Sequence, residues 1–135
     1  MREILFRGKR IDNGEWIEGY YAAEPYTKST YNYGYILENE KDLYAKKAYL
    51  VDSRTVGQFT GLTDKNGRKI FEGDIVTIRD SAEGVLVEFI DGEYQCTNRI
   101  KYKYYRHPLE YYHDEPKYTV IGNIHDNPEL LEVAE

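Results

Sequence analysis

Histidine, cysteine and carboxylate side chains are the groups that could move protons, attack a substrate or hold a metal, and in this chain they are few and awkwardly spaced. His107, Glu110, His113 and Asp114 lie close together in the sequence, and His125-Asp126 could approach them in space. Two imidazoles and a carboxylate are a donor set for Zn²⁺ or Fe²⁺. The His107-x5-His113 spacing, however, is not one that a helix or strand forces into coordination geometry, and Pro108 interrupts any regular element. His125 beside Asp126 is the best candidate for a general acid or base, yet no Ser or Cys motif stands next to it to be activated. The single cysteine, Cys96, sits between Gln95 and Thr97 with neither redox nor metal-ligand spacing. The sequence therefore implies no cofactor and no metal, and it points away from an enzyme.

The sharper functional hint is a basic island, Arg99-Ile100-Lys101-Tyr102-Lys103-Tyr104-Tyr105-Arg106-His107. Residues 97–107 carry four basic and no acidic side chains, whereas 51–96 carry five against nine and 108–135 one against seven. If the island is a strand, Ile100, Tyr102 and Tyr104 face one way and Arg99, Lys101 and Lys103 the other. A cationic row beside aromatic rings is one recipe for binding single-stranded nucleic acid, with bases stacked on Tyr and phosphates on Lys and Arg. The competing reading is an amphipathic strand with tyrosines inward and charges in water, which also blunts an exposed sheet edge. Alternation sends the two sets to opposite faces, so joint use of both would need the strand to curl, or help from Tyr105 and Tyr111.

The elements that must position these residues are mostly strands. Fifteen of 135 residues are Tyr, against four Phe and one Trp, and tyrosine suits a half-buried pleated surface or, alternatively, an interface anchor. Residues 3–11 and 15–21 read as a hairpin about Asn13-Gly14, a dipeptide that tolerates positive φ at both central positions of a type I′ turn. Residues 22–48 read as a long loop with one strand near 33–37. From Val51 to Leu62 the chain should be extended, followed by a turn at Asn66-Gly67 and by strands at 75–79, 85–90 and 93–96. Short strands joined by tight turns make a curled meander, and a closed or half-closed barrel hides its edges. His107-Pro108 should break the ladder, and 118–124 should be the last strand. Asn127-Pro128-Glu129 looks like a capped helical turn, with Asn127 as N-cap.

Length and charge add bounds. A chain of 135 residues can bury a core without staples, and the net charge of −6 speaks against a protein coating nucleic acid with its whole surface. The N-terminus lacks a signal-peptide apolar stretch, no segment approaches the roughly 20 apolar residues that span a bilayer, and one cysteine suits a reducing compartment. The expectation is a cytoplasmic protein with no membrane partner.

Three motifs carry a family resemblance: the opening Arg2-Glu3-Ile4-Leu5-Phe6-Arg7, the core from Gln58-Phe59-Thr60-Gly61 to Gly73-Asp74-Ile75-Val76, and the ending Val120-Ile121-Gly122-Asn123-Ile124-His125-Asp126-Asn127-Pro128. Together they resemble the YopX-like family of small bacteriophage and prophage proteins, with variable stretches at 22–50 and 93–117. The resemblance implies a mostly β fold: a small SH3-like, half-open β-barrel with an N-terminal β-hairpin extension and a short C-terminal helical turn. It implies no reaction and no catalytic residues. Read as a single domain over 1–135, the chain divides into a hairpin to about 22, a variable region to about 50, a barrel over 51–126 and a terminal turn from 127. Gly61, Gly67 and Gly73 should mark strand ends with positive φ or close approach, and Asp64 and Asp74, like Asn13, Gly14 and Asn66, should serve turns.

Three functions fit these residues. The leading one is a non-enzymatic accessory module, in the bacterial host cytoplasm, that binds another phage or host protein or itself. The second is single-stranded nucleic-acid binding through Arg99, Lys101, Tyr102, Lys103, Tyr104, Tyr105 and Arg106. The third is an acidic decoy, using the carboxylates of 108–135, that occupies a host protein's nucleic-acid groove.

Overall fold

The structure, a computed structural model, describes residues 4–23, 33–38, 48–79, 81–98, 106–109 and 118–131. The chain forms two compact units, Met1–Phe59 and Thr60–Glu135. Both are built of antiparallel strands, so the mostly β fold read from the sequence is the observed one.

In the first unit, β1 (Phe6–Arg10), β2 (Trp16–Ala23), β3 (Tyr33–Leu37) and the start of the long β4 (Ala48–Thr63) pair in that order, and β4 pairs back onto β1. Each of these strands therefore has two neighbours, and the ring leaves no open edge. Register puts Phe6 opposite Gly19, Gly8 opposite Ile17, Tyr21 opposite Ile36 and Gly34 opposite Val51. Paired residues share a face, and this inner face is too narrow for a side chain at every position. A Cβ on Gly8 would press on Val51, one on Gly34 would strike the Tyr21 ring, and one on Gly19 would meet the Leu37 carbonyl. The glycines thus make room for Ile36 and Val51, which are fully buried, while the Phe6 and Tyr21 rings meet at a tilt of 46°, centroids 5.9 Å apart.

The β1–β2 hairpin is present, but its turn is not type I′. Arg10 and Glu15 close a longer loop, in which the Gly14 amide donates to the Arg10 carbonyl at 3.0 Å and the Glu15 amide to the Asn13 side chain at 2.9 Å. Only Gly14 takes positive φ, at 72°. Asn13 keeps the ordinary sign because one left-handed residue suffices to reverse this wider loop. Opposite Gly8, β4 bulges: the register jumps from Arg7↔Gly57 to Lys9↔Asp52. Thr55 fills the gap in the ladder, its hydroxyl accepting from the Lys9 amide at 2.9 Å and donating to the Asp52 carbonyl at 2.6 Å.

In the second unit the end of β4 is followed by β5 (Lys69–Phe71), and a five-stranded sheet is ordered β10 (Tyr118–Asn123), β6 (Asp74–Ile78), β7 (Val85–Ile90), β8 (Glu93–Thr97), β9 (Arg106–Pro108). Its core joins Ile70, Val76, Val87, Cys96, Leu109 and Tyr118. Although β10 and β9 are at opposite ends of this order, the Tyr118 hydroxyl donates to the Leu109 carbonyl at 2.8 Å. The sheet therefore curls until its two ends meet through one side chain, which is the half-open barrel. A turn covers the outer edge of β10: the Lys65 amide donates to the Tyr118 carbonyl at 2.9 Å, and the Val120 amide to the Asp64 carboxylate at 3.0 Å.

Two expectations need correction here. His107-Pro108 does not break the ladder, for Cys96 pairs with His107 and Gln95 with Pro108. Proline is tolerated because β9 ends the strand order, where one missing N–H leaves no neighbour unsatisfied. At the C-terminus the expected short helical turn is present, as a 3₁₀ turn over Pro128–Leu131, but its expected cap is not. The Asn127 side chain does not cap it but accepts from the Asn123 amide at 3.2 Å, closing the loop behind β10 instead.

Candidate binding surfaces

The face of β2, β3 and β4 opposite the glycine-lined interior follows from the same register. Ala22, Tyr35 and Leu50 form one cross-strand row, Tyr20, Leu37 and Ala48 the next, and Tyr33 stands opposite Asp52. Tyr33 is 42% and Leu50 38% exposed. The Ile11 amide donates to the Leu50 carbonyl at 3.1 Å, which sets a further exposed aliphatic residue beside the rows. The two rows contain no charged side chain. Asp52 at the margin is engaged by Arg54, whose guanidinium reaches its carboxylate at 2.7 Å and 3.0 Å. Sequence reading found the tyrosine excess but not this face. The signal was alternation in 33–37 and 48–52, and only the pairing of those two segments shows that their outward residues coincide.

Of the basic island, Arg99, Lys101, Tyr102, Lys103, Tyr104 and Tyr105 lie outside the described residues, as do Tyr111 and the carboxylates of 110–117. Both ends of the island are placed. Thr97 and Arg106 are register partners on β8 and β9. Thr97 is buried and its hydroxyl donates to Glu88 at 2.6 Å. Buried Asn98 donates to the carbonyls of Gly84 and Leu131 at 2.9 and 3.1 Å. Arg106 is exposed, with a nitrogen 3.4 Å from Asp91, at the tight turn where Asp91 and Gly92 both take positive φ (52° and 83°). This turn, not the one at Asn13-Gly14, has the type I′ signature.

A second cationic segment appears on the β4–β5 turn. Lys65, Asn66, Gly67 and Arg68 are exposed and followed by Lys69, while Asp64 beneath them is buried. The Asp64 carboxylate accepts from the amides of Asn66 and Arg68, both at 2.9 Å, besides Val120. Burial alone would raise its pKa, but the Val120, Arg68 and Asn66 amides and the Arg68 charge together hold it below the usual carboxylate range. Gly67 has a φ of 80°, Gly61 88° and Gly73 93°. Asp74 is buried and takes the Phe71 amide at 2.8 Å.

Among the described residues the titratable side chains assemble no nucleophile. Cys96 lies across from His107, and Tyr118 stands 3.4 Å from the His107 ring. Burial pushes the Cys96 thiol up to about 12, with Tyr118 offsetting only part of the effect, and burial also lowers His107. A thiol in this state carries almost no thiolate near neutrality, and the thiolate is the reactive form. His125 and Asp126 donate their amides to the Asn123 side chain at 3.0 and 2.9 Å, within the loop behind β10. Among the described residues no three His, Cys, Asp or Glu side chains are grouped to hold a metal ion, and no helix is long and apolar enough to cross a membrane.

A family model described as YopX protein matches residues 5–132. Among solved structures, the chain is similar to protein EF1440 from Enterococcus faecalis, with 23% identity and a TM-score of 0.56, covering 98% of this chain and 100% of that one. At that identity the likeness is one of fold. No curated protein matches the chain.

Proposed function

The chain belongs to the YopX protein family, and from that premise we propose that it is a non-enzymatic phage or prophage accessory module that binds another protein in the cytoplasm of a bacterial host. Its second unit is, in this reading, an SH3-like barrel. The observation that carries the reading is the outer face of β2, β3 and β4, where tyrosine and leucine rows stand partly exposed without a charge among them. Rigid aromatic bodies with a polar tip are the residues that dominate protein interfaces. A polyanion would find no cation in those rows. The partner is a phage or host protein, or a second copy of the chain.

A photo-crosslinking residue at Tyr33, in cells carrying the phage or prophage, should capture one partner reproducibly, and the same residue at exposed Phe89 should not. With the captured protein purified, Leu50→Lys and Tyr35→Ser should each weaken binding by roughly tenfold or more, the scale of an interface anchor. Capture of the bait alone, or a partner indifferent to both substitutions, would sink the proposal.

A further inference from the structure

The chain contains the dipeptide Asn-Gly twice, as Asn13-Gly14 and Asn66-Gly67. In such a pair the glycine main-chain nitrogen is the nucleophile nearest the asparagine side-chain carbonyl, and with no Cβ beside it nothing shields its approach. Both dipeptides are exposed and both glycines have positive φ, 72° and 80°. Both glycine amides also donate to a carbonyl earlier in their turn at 3.0 Å, Gly14 to Arg10 and Gly67 to Asp64. Exposure and the state of the nucleophile are therefore shared, and what differs is the surroundings of the asparagine carbonyl.

At the first dipeptide the Glu15 amide donates to Asn13 Oδ1 at 2.9 Å. The ring that this bond closes contains both the Gly14 nitrogen and Asn13 Cγ, so the two reacting atoms are held as neighbours. The same N–H is aimed at the oxygen on which negative charge develops when the nitrogen adds. A Cβ on Gly14 would lie 3.8 Å from the Lys9 Cε, which puts an ammonium group close to the reacting atoms. At the second dipeptide the equivalent amide, two residues beyond the asparagine, is that of Arg68, and the Asp64 carboxylate takes it at 2.9 Å together with the Asn66 amide. The donor is thus spent, and the carboxylate that holds it opposes any negative charge developing at Gly67 or on the Asn66 side chain.

We propose that Asn13 is a site of spontaneous deamidation and that Asn66, in the same dipeptide, is protected by the Asp64 clamp. The Gly14 nitrogen gives its proton to a solvent base and adds its electron pair to Asn13 Cγ. The Cγ–Nδ2 bond then breaks, and the nitrogen takes up a proton and leaves as ammonia. Water opens the resulting cyclic imide at either carbonyl, giving aspartate or isoaspartate at position 13. One water is consumed, one ammonia is released and nothing is oxidised. The product adds a negative charge to the loop that joins β1 to β2 and, in its isoaspartate form, lengthens the main chain of that loop by one carbon.

The test is peptide mapping of the full chain by mass spectrometry, with isoaspartate detected by enzymatic methylation, during incubation at neutral and mildly alkaline pH. In the folded protein Asn13 should convert on the order of tenfold faster than Asn66, the conservative end of what one oxyanion donor supplies. Conversion should quicken with pH, because the nitrogen attacks in its deprotonated form. In denaturant, which removes both surroundings, the two rates should approach parity. Glu15→Pro removes the donating N–H and should bring Asn13 down towards the rate of Asn66. The Asn66 rate in the same molecule reports whether that variant is folded, and if it is not, the comparison of native and denatured wild-type chains decides. Conversion of Asn66 as fast as Asn13 in the folded chain, a ratio unchanged by denaturant, or a folded Glu15→Pro chain with an unaltered Asn13 rate overturns the proposal.

Discussion

Asp64 shows how much one side chain can hold in a β protein of this size. It organises its own turn through the amides of Asn66 and Arg68 and completes the edge of β10 through Val120. Asp64→Ala should destabilise the protein by about 2–4 kcal/mol, because it strands buried amides as well as removing bonds, and denaturant titration measures the loss. Its folded pKa lies below the unfolded value. The stabilisation it gives is thus complete above roughly pH 4 and is lost as pH falls through the folded value. His107 acts at a higher pH. Burial lowers its pKa, so the unfolded chain takes up the proton first, and stability should begin to fall below about pH 6.5. Replacing His107 with Gln should flatten that upper part of the curve and leave the acid limb in place. Cys96 gives a third readout: with its thiol buried and protonated, labelling by a thiol reagent should follow the unfolding rate and stay slow in native buffer.

At the scale of elements, the sequence was informative wherever structure is local. The strand at 33–37 stands out because turn formers surround a short alternating run, and Gly61, Gly67 and Gly73 signal left-handed backbone because few other residues adopt it readily. The errors came where the outcome depends on a neighbour. Asn13 could have taken either sign of φ, and the length of the loop decided it. Pro108 reads as a breaker until the strand order makes β9 an edge. Asp64 reads as an ordinary turn former because Val120 is 56 positions away, and the outer tyrosine face depends on a pairing between 33–37 and 48–52 that alternation alone cannot specify. The basic island of 99–105 lies outside the described residues. Two substitutions probe the elements themselves. Gly19→Ala drives a methyl group onto the Leu37 carbonyl and should destabilise the first unit by about 1–3 kcal/mol, with amide exchange rising first in β1 to β3. Thr55→Val keeps the shape but removes the bridge across the β4 bulge, and should lower stability by about 1–2 kcal/mol.

Taken whole, the chain divides its chemistry between its units. The residues to Phe59 balance nine basic with nine acidic side chains, whereas those from Thr60 carry nine against fifteen. The charge excess, and with it most of the response to ionic strength, belongs to the second unit. Moderate salt should therefore slow amide exchange in β6 to β8 more than in β1 to β3.

Because Thr97 and Arg106 share a rung, the length of chain between them is not a dimension on which the sheet depends. Closure entropy grows slowly with the number of residues between paired ends, by about 0.6 kcal/mol for each doubling. A change in the number of residues between them should therefore leave the β8–β9 pairing in place.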